Sequence, residues 1–95
     1  MVKENFFACK DTEALFRGYR LKRFPPDIAR TAQRKLILLS KAKTLDDLRN
    51  PPGNRLKPLQ GGRSGTYSIR INDQWRVTFR WIDGAAEDVR VEDYH

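Results

Sequence analysis

The spacing of the apolar residues changes at Asn54, and this change constrains the fold more than any other feature of the sequence. Before Asn54 apolar residues recur every three or four positions, which is the period of a helix buried along one side. After it they recur at every second position, as in a strand with one buried face. With 95 residues, the chain suits one domain, over residues 1–95, and is too short for two. We therefore predict an α+β fold, with N-terminal helices packed on one face of a small, mainly antiparallel sheet.

Local signals predict three helices in the first half of the chain. Asp11 or Thr12 can cap the first helix, and Pro26 suits the first turn of the second, where its missing N–H needs no partner. Residues 44–47 have the form of a capping box, which predicts a short helix through Leu48. The side of the second helix that we expect to face the core carries Ile28, Ala32, Leu36 and Leu39. Residues 2–7 could form a short strand.

The second half is predicted to contain four strands. Their expected ranges are 55–57, 66–71, 74–81 and about 87–91. Alternation along the third strand gives it one apolar face, made of Trp75, Val77, Phe79 and Trp81. Only the helices can cover so large an apolar surface, so this face is predicted to pack on them.

The other face of the sheet carries an unusual number of arginines. Alternation places four of them there, on adjacent strands: Arg70, Arg76, Arg80 and Arg90. Arginines this close repel one another unless an anion lies among them, which favours a phosphate-binding surface. A solvated polar face that binds nothing is the alternative.

The overall charge supports a polyanionic partner. Nineteen Lys and Arg against twelve Asp and Glu leave a net charge of +7 at pH 7. Such a surplus on a small chain indicates a nucleic acid or an acidic protein as partner, with solubility alone as the alternative explanation.

Several protein classes are excluded by composition. The longest apolar runs have four residues, so no helix is expected to span a membrane, and the N-terminal residues lack the apolar region of a secretory signal. One cysteine and one histidine allow neither a disulfide within the chain nor a cysteine-based zinc site, so no metal or other cofactor is expected. We expect a cytoplasmic protein that does not bind membranes.

Three residues that can transfer protons end the sequence: Asp93, Tyr94 and His95. Beside an arginine-bearing sheet they form a minimum set for cleaving RNA by attack of its own 2′-hydroxyl on the adjacent phosphate. That reaction needs a base, an acid and a cation for the charge of the transition state, and it needs no metal. The histidine, with an ordinary pKa of about 6.5, can act as acid or base near neutral pH.

Four segments resemble the HigB branch of the RelE toxin superfamily, toxins also called plasmid-maintenance or host-growth-inhibition killer proteins. The segments are residues 11–16, 54–59, 67–79 and 92–95, and the likeness covers nearly the whole chain. The resemblance implies a RelE-like domain and an endoribonuclease that cuts translated mRNA in the ribosomal A site. It also implies a neighbouring helix-turn-helix antitoxin, similar to HigA, that neutralises the toxin and represses the shared operon with it by binding operator DNA.

The resemblance also assigns residues. Arg76 matches the arginine of the family that stabilises the phosphate, and Asp93, Tyr94 and His95 match its C-terminal catalytic cluster, with the division of acid and base roles left open. Lys57 lies where better-known members carry a histidine, and Gln60 where they carry a lysine. A lysine can hold a phosphate but transfers protons poorly unless burial lowers its pKa, so we expect a mild toxin.

The remaining basic residues of the second half are candidate RNA-binding residues: Arg55, Arg63, Arg70, Arg80 and Arg90. Two other classes of function remain open at this stage. A basic module that binds RNA or DNA without chemistry would need Arg70 and Arg76 but not His95. A protein-interaction domain would instead use the basic side of the second helix, with Arg30 and Arg34, to bind an acidic partner.

Overall fold

The computed structural model describes residues 4–59 and 65–93 and confirms the predicted fold class. Two α-helices and two short 3₁₀ helices precede a four-stranded antiparallel sheet with strands in the order β1-β2-β3-β4. The α-helices are α1 (Lys10–Phe16) and α2 (Pro26–Lys41), and the 3₁₀ helices are Leu45–Arg49 and Pro52–Asn54. The strands are β1 (Lys57–Pro58), β2 (Thr66–Arg70), β3 (Trp75–Ile82) and β4 (Ala85–Asp93).

Helix α1 begins one or two residues before the predicted caps, and that prediction is wrong. Its N-cap is Cys9, and no side chain caps the first turn. Thr12 is buried inside the helix, and its Oγ1 accepts a hydrogen bond from the backbone N–H of Val91 at 3.2 Å. Its hydroxyl therefore serves a tertiary contact with β4 instead of a local cap.

Helix α2 starts with Pro26 in its first turn, as predicted. Its four predicted core residues, Ile28, Ala32, Leu36 and Leu39, are all buried. They pack against the apolar face of β3 and β4, which includes the fully buried Val77, Phe79 and Val89. The helices and the sheet thus form two layers around one core.

The segment between α2 and β1 is fixed by side-chain hydrogen bonds. The predicted capping box is present: Asp47 N donates to Thr44 Oγ1 at 3.2 Å, and Thr44 N donates to Asp47 Oδ2 at 3.1 Å. The buried Asn54 donates from Nδ2 to the carbonyls of Leu48 and Asn50, each at 3.1 Å, and accepts a hydrogen bond from the Lys35 ammonium. These bonds hold the chain where it enters the sheet.

Two predicted strands differ from the observed ones. Arg55 adopts a left-handed conformation with φ 45° and caps the second 3₁₀ helix, so β1 begins only at Lys57. Strand β4 is longer than predicted at both ends, because Ala85 and Ala86 pair with the end of β3, and Glu92 and Asp93 pair with its start. A bulge also interrupts the pairing of β4 with β3 between Thr78 and Arg80. Asp88, with φ 52°, lies in this bulge and is the extra residue on β4.

The predicted N-terminal strand is reduced to one bridge within the described residues 4–7. Phe7 forms a parallel bridge with Val89 of β4. Val89 N donates to the carbonyl of Phe6, and Ala8 N donates to the carbonyl of Val89, both at 2.8 Å. These bonds cover part of the outer edge of β4, which would otherwise leave backbone groups unpaired.

Candidate functional site

Strand pairing arranges the polar side chains in three rows on the sheet face that points away from the helices. Residues directly opposite each other on neighbouring strands point to the same face. The first row consists of Lys57, Ser68, Thr78 and Arg90. The second consists of Arg70, Arg76 and Glu92, and the third of Thr66, Arg80 and Glu87. We refer to these three rows as the polar face; they confirm that the four arginines predicted to share a face do so.

Arg76 occupies the middle of the polar face and is half-buried. Its Nη1 donates a hydrogen bond to Ser68 Oγ at 3.2 Å. Glu92 lies directly opposite it on β4, and the hydroxyl of Thr78 donates to Glu92 Oε2. A guanidinium held in this way is suited to stabilise negative charge on a phosphate.

Arg70 is held at the turn between β2 and β3. Its Nη2 donates to Asp73 Oδ1. This hydrogen bond and the positive charge of Arg70 hold the pKa of Asp73 below its ordinary value, with a further contribution from the charge of Arg55. The turn itself is closed by Asn72, whose Oδ1 accepts from the backbone N–H groups of Gln74 and Trp75 at 2.8 Å each. Arg55, although outside the strands, thus acts on the same end of the polar face.

Carboxylates of the chain itself lie among the arginines of the polar face. Arg80 Nη1 is 3.8 Å from Asp88 Oδ2, and Glu87 is its partner in the strand register. Arg90 and Lys57 are exposed at opposite ends of the first row. These carboxylates therefore balance part of the repulsion between the arginines that the sequence pattern indicated. In the first row, the two cations lie at opposite ends.

Asp93 belongs to the other side of the sheet. It is the register partner of Trp75, and alternation along β4 places it on the side of Val91, opposite the side of Arg76. Its carboxylate is exposed and accepts a hydrogen bond from Gln74 Nε2 at 3.1 Å. The register thus places Asp93 and Arg76 on opposite sides of the sheet, at the end of the last strand.

Three of the predicted site residues, Arg63, Tyr94 and His95, lie outside the described residues, as does Gln60. Among the others, the polar face brings together Lys57, Arg70, Arg76, Arg80 and Arg90. Sequence reasoning missed three neighbours of Arg76, namely Ser68, Thr78 and Glu92. Alternation already placed them on this face, but their contacts depend on strand register.

An open cleft of about 640 Å³ lies at the outer edge of β4. Arg90 and Glu92 line it from the polar face, Asp93 lines it from the opposite side, and Arg23 and Gln74 complete its polar wall. The cleft therefore connects the two sides of the sheet near the C-terminal end. Among residues 4–59 and 65–93, no group of three or more His, Cys, Asp or Glu is arranged to hold a metal ion, and no helix there is long and apolar enough to cross a membrane.

Comparison with known proteins gives a family match over nearly the whole chain. Residues 5–95 match the family described as "RelE-like toxin of type II toxin-antitoxin system HigB". Toxin HigB-1 of Vibrio cholerae is 45% identical over 67 residues, which cover 70% of each protein. Endoribonuclease HigB of Proteus vulgaris is 46% identical over 41 residues, or 43% of this chain and 45% of the relative. An uncharacterized protein of Haemophilus influenzae is 28% identical over 82 residues, or 82% and 81% of the two chains.

Proposed function

Because this chain belongs to the HigB-like family of RelE-like toxins of type II toxin–antitoxin systems, we propose that it is a ribosome-dependent endoribonuclease that cuts mRNA. The observation that carries the proposal is the position of Arg76. It lies at the centre of a cationic sheet face, half-buried and bonded to Ser68. The name of the Proteus vulgaris relative, Endoribonuclease HigB, supports the same activity.

The proposed reaction transfers a phosphoryl group within the RNA, from the 5′-oxygen of one nucleotide to the 2′-oxygen of the nucleotide before it. A base removes the proton of a 2′-hydroxyl, and the 2′-oxygen forms a bond to the adjacent phosphorus. The bond from phosphorus to the 5′-oxygen breaks, and an acid protonates that oxygen, leaving a 2′,3′-cyclic phosphate and a 5′-hydroxyl. Arg76 stabilises the additional negative charge on the phosphate oxygens in the transition state.

The proton transfers are assigned to the C-terminal cluster. We propose that His95 or Asp93 supplies the acid and base, and that Tyr94 contributes a proton or orients a base by stacking. The cleft beside Asp93 and Glu92 supports this assignment, because an RNA strand crossing the edge of β4 would pass from the polar face to Asp93. Lys57, at the far end of the first row, would hold a phosphate.

The remaining basic residues would bind the RNA backbone. Arg90 is exposed beside the cleft and is the strongest candidate among them. Arg70 and Arg80 form ion pairs with Asp73 and Asp88, which partly neutralise their charge. Each is therefore expected to contribute less to RNA affinity than Arg90. The residues assigned to phosphate contacts are Arg55, Arg63, Arg70, Arg80 and Arg90.

Dependence on the ribosome fits the small site. The A site would hold the message in a reactive geometry, and such positioning can supply a large part of a rate enhancement. A type II toxin implies a cognate antitoxin. We propose that it is a HigA-like helix-turn-helix protein and that the complex represses its own operon.

The test is expression of the wild type, a form lacking His95, Arg76→Ala and a control Arg49→Ala, followed by mapping of mRNA 5′ ends on a translated reporter. Arg49 is exposed and paired with Asp46, away from the polar face. The proposal predicts cuts from the wild type and the control, and a strong loss in both other forms. Cutting that survives deletion of His95 would assign the proton transfers to Asp93, Tyr94 or Lys57. Folded wild type without cuts would favour a non-catalytic basic binding module.

A further inference from the structure

Two buried hydroxyl groups lie beneath the charged side chains of the polar face. Ser68 and Thr78 are direct partners across β2 and β3, and their exposed fractions are 0% and 2%. A buried hydroxyl is costly unless it forms a hydrogen bond. Each of these two forms one to a charged side chain of the second row.

The two hydrogen bonds fix two residues that face each other. Ser68 Oγ accepts from Arg76 Nη1 at 3.2 Å, and Thr78 Oγ1 donates to Glu92 Oε2. Arg76 and Glu92 are register partners on β3 and β4. One hydroxyl thus orients the cation and the other orients the carboxylate opposite it.

This arrangement counters two effects that would displace Arg76. Its other register partner is Arg70, and like charges directly opposite each other are destabilising. A long guanidinium side chain also loses rotamer entropy when it is fixed in one position. The Glu92 carboxylate opposite Arg76 and the hydrogen bond from Arg76 to the buried Ser68 hydroxyl both favour one orientation of the guanidinium.

We propose that Ser68 and Thr78 are positioning residues for RNA cleavage: Ser68 holds Arg76, and Thr78 holds Glu92, so that the guanidinium is oriented before the phosphate arrives. This inference rests on the proposed function. A group that acts on transition-state charge lowers the maximal rate when it is misplaced, and leaves substrate binding largely intact.

The test compares single-turnover cleavage of ribosome-bound mRNA by the wild type, Ser68→Ala, Thr78→Val and Thr78→Ser. Thr31→Val is the matched control, because Thr31 Oγ1 also accepts a hydrogen bond, from Arg34, on helix α2. We expect Ser68→Ala and Thr78→Val to cleave about 10-fold to 100-fold more slowly, with the half-saturating concentration changed less than about threefold. Thr78→Ser keeps the hydroxyl and should stay within about threefold of the wild type, as should Thr31→Val. If Ser68→Ala and Thr78→Val cleave at the rate of the wild type, the inference is overturned.

A second readout separates this inference from the proposed function. The NMR signal of the Arg76 side-chain Nε–Hε group reports the mobility of the guanidinium without any RNA. We expect Ser68→Ala and Thr78→Val to increase that mobility and Thr78→Ser and Thr31→Val to leave it unchanged, with far-UV circular dichroism confirming the fold of each variant. If the wild type does not cleave mRNA, the proposed function fails, and the NMR signal alone decides: unchanged mobility in Ser68→Ala and Thr78→Val overturns the positioning role.

Discussion

The hydroxyl of Thr12 accepts a hydrogen bond from the backbone N–H of Val91 at 3.2 Å, joining α1 to the last strand across 79 sequence positions. Both residues are buried, with 1% and 2% of their surfaces exposed. The bond fixes β4 two residues before Asp93, on the outer edge of the strand, which also carries the bridge from Phe7 to Val89. It therefore helps to place Asp93 relative to the helices.

Removal of the Thr12 hydroxyl should destabilise the protein. Thr12→Val keeps the shape of the side chain but leaves the Val91 N–H buried without this acceptor, which costs about 1–3 kcal/mol. Thr12→Ser retains the acceptor and should lose less. Urea unfolding measures both; equal stability of Thr12→Val and the wild type would show that the hydrogen bond contributes nothing.

The contact between α2 and the sheet should depend on Leu36. Its side chain is fully buried in the core. Leu36→Ala removes buried methyl groups and leaves a cavity, so the free energy of unfolding should fall by about 2–5 kcal/mol. Leu38→Ala is the control, since Leu38 is only partly buried on the same helix. Similar losses from both substitutions would contradict the packing described.

The turn between β2 and β3 should respond to acid. The pKa of Asp73 is below its ordinary value in the folded protein, chiefly because Arg70 donates a hydrogen bond to it and adds positive charge. A carboxylate of this kind stabilises the fold above its unfolded pKa, and that contribution is lost as the pH falls through the lower folded pKa. Arg70→Ala should raise the pKa of Asp73, measured by ¹³C NMR of the carboxyl group, and Arg55→Ala should raise it less. A pKa that stays low in Arg70→Ala would refute this cause.

Lys57 should limit the rate of cleavage. Histidine can exchange protons near neutral pH, whereas lysine is suited to hold a phosphate and transfers protons poorly. Lys57→His is expected to cleave ribosome-bound mRNA on the order of 10-fold faster than the wild type. Lys41→His, at the end of α2, should have no effect. An unchanged rate in Lys57→His would argue against a mild toxin limited at this site.

The fold and the central part of the site could be predicted because β2 and β3 are regular. Strict alternation there gives the correct faces for Arg70, Arg76 and Arg80, and the helical period identifies the buried side of α2. Alternation and helical period depend only on residues that are close together in the sequence, so the sequence alone is enough to recognise them.

The errors arise where distant residues decide the local structure. Thr12 looks like a helix cap, but its hydroxyl bonds to a strand 79 positions away. The bulge at Asp88 inserts one residue into β4, which alternation alone does not reveal. Ser68 and Thr78 have the polarity of exposed strand residues, yet they are buried, with their hydroxyls bonded to Arg76 and Glu92.

The most direct test of the account places a single 2′-deoxynucleotide at the mapped cleavage position of a ribosome-bound mRNA. Attack by the RNA's own 2′-hydroxyl predicts that the wild type cuts the unmodified message, leaves a 2′,3′-cyclic phosphate, and does not cut the modified message at that position. Arg76→Ala should cut the unmodified message about 10²-fold to 10³-fold more slowly. Cleavage at the deoxynucleotide at the normal rate would contradict the account.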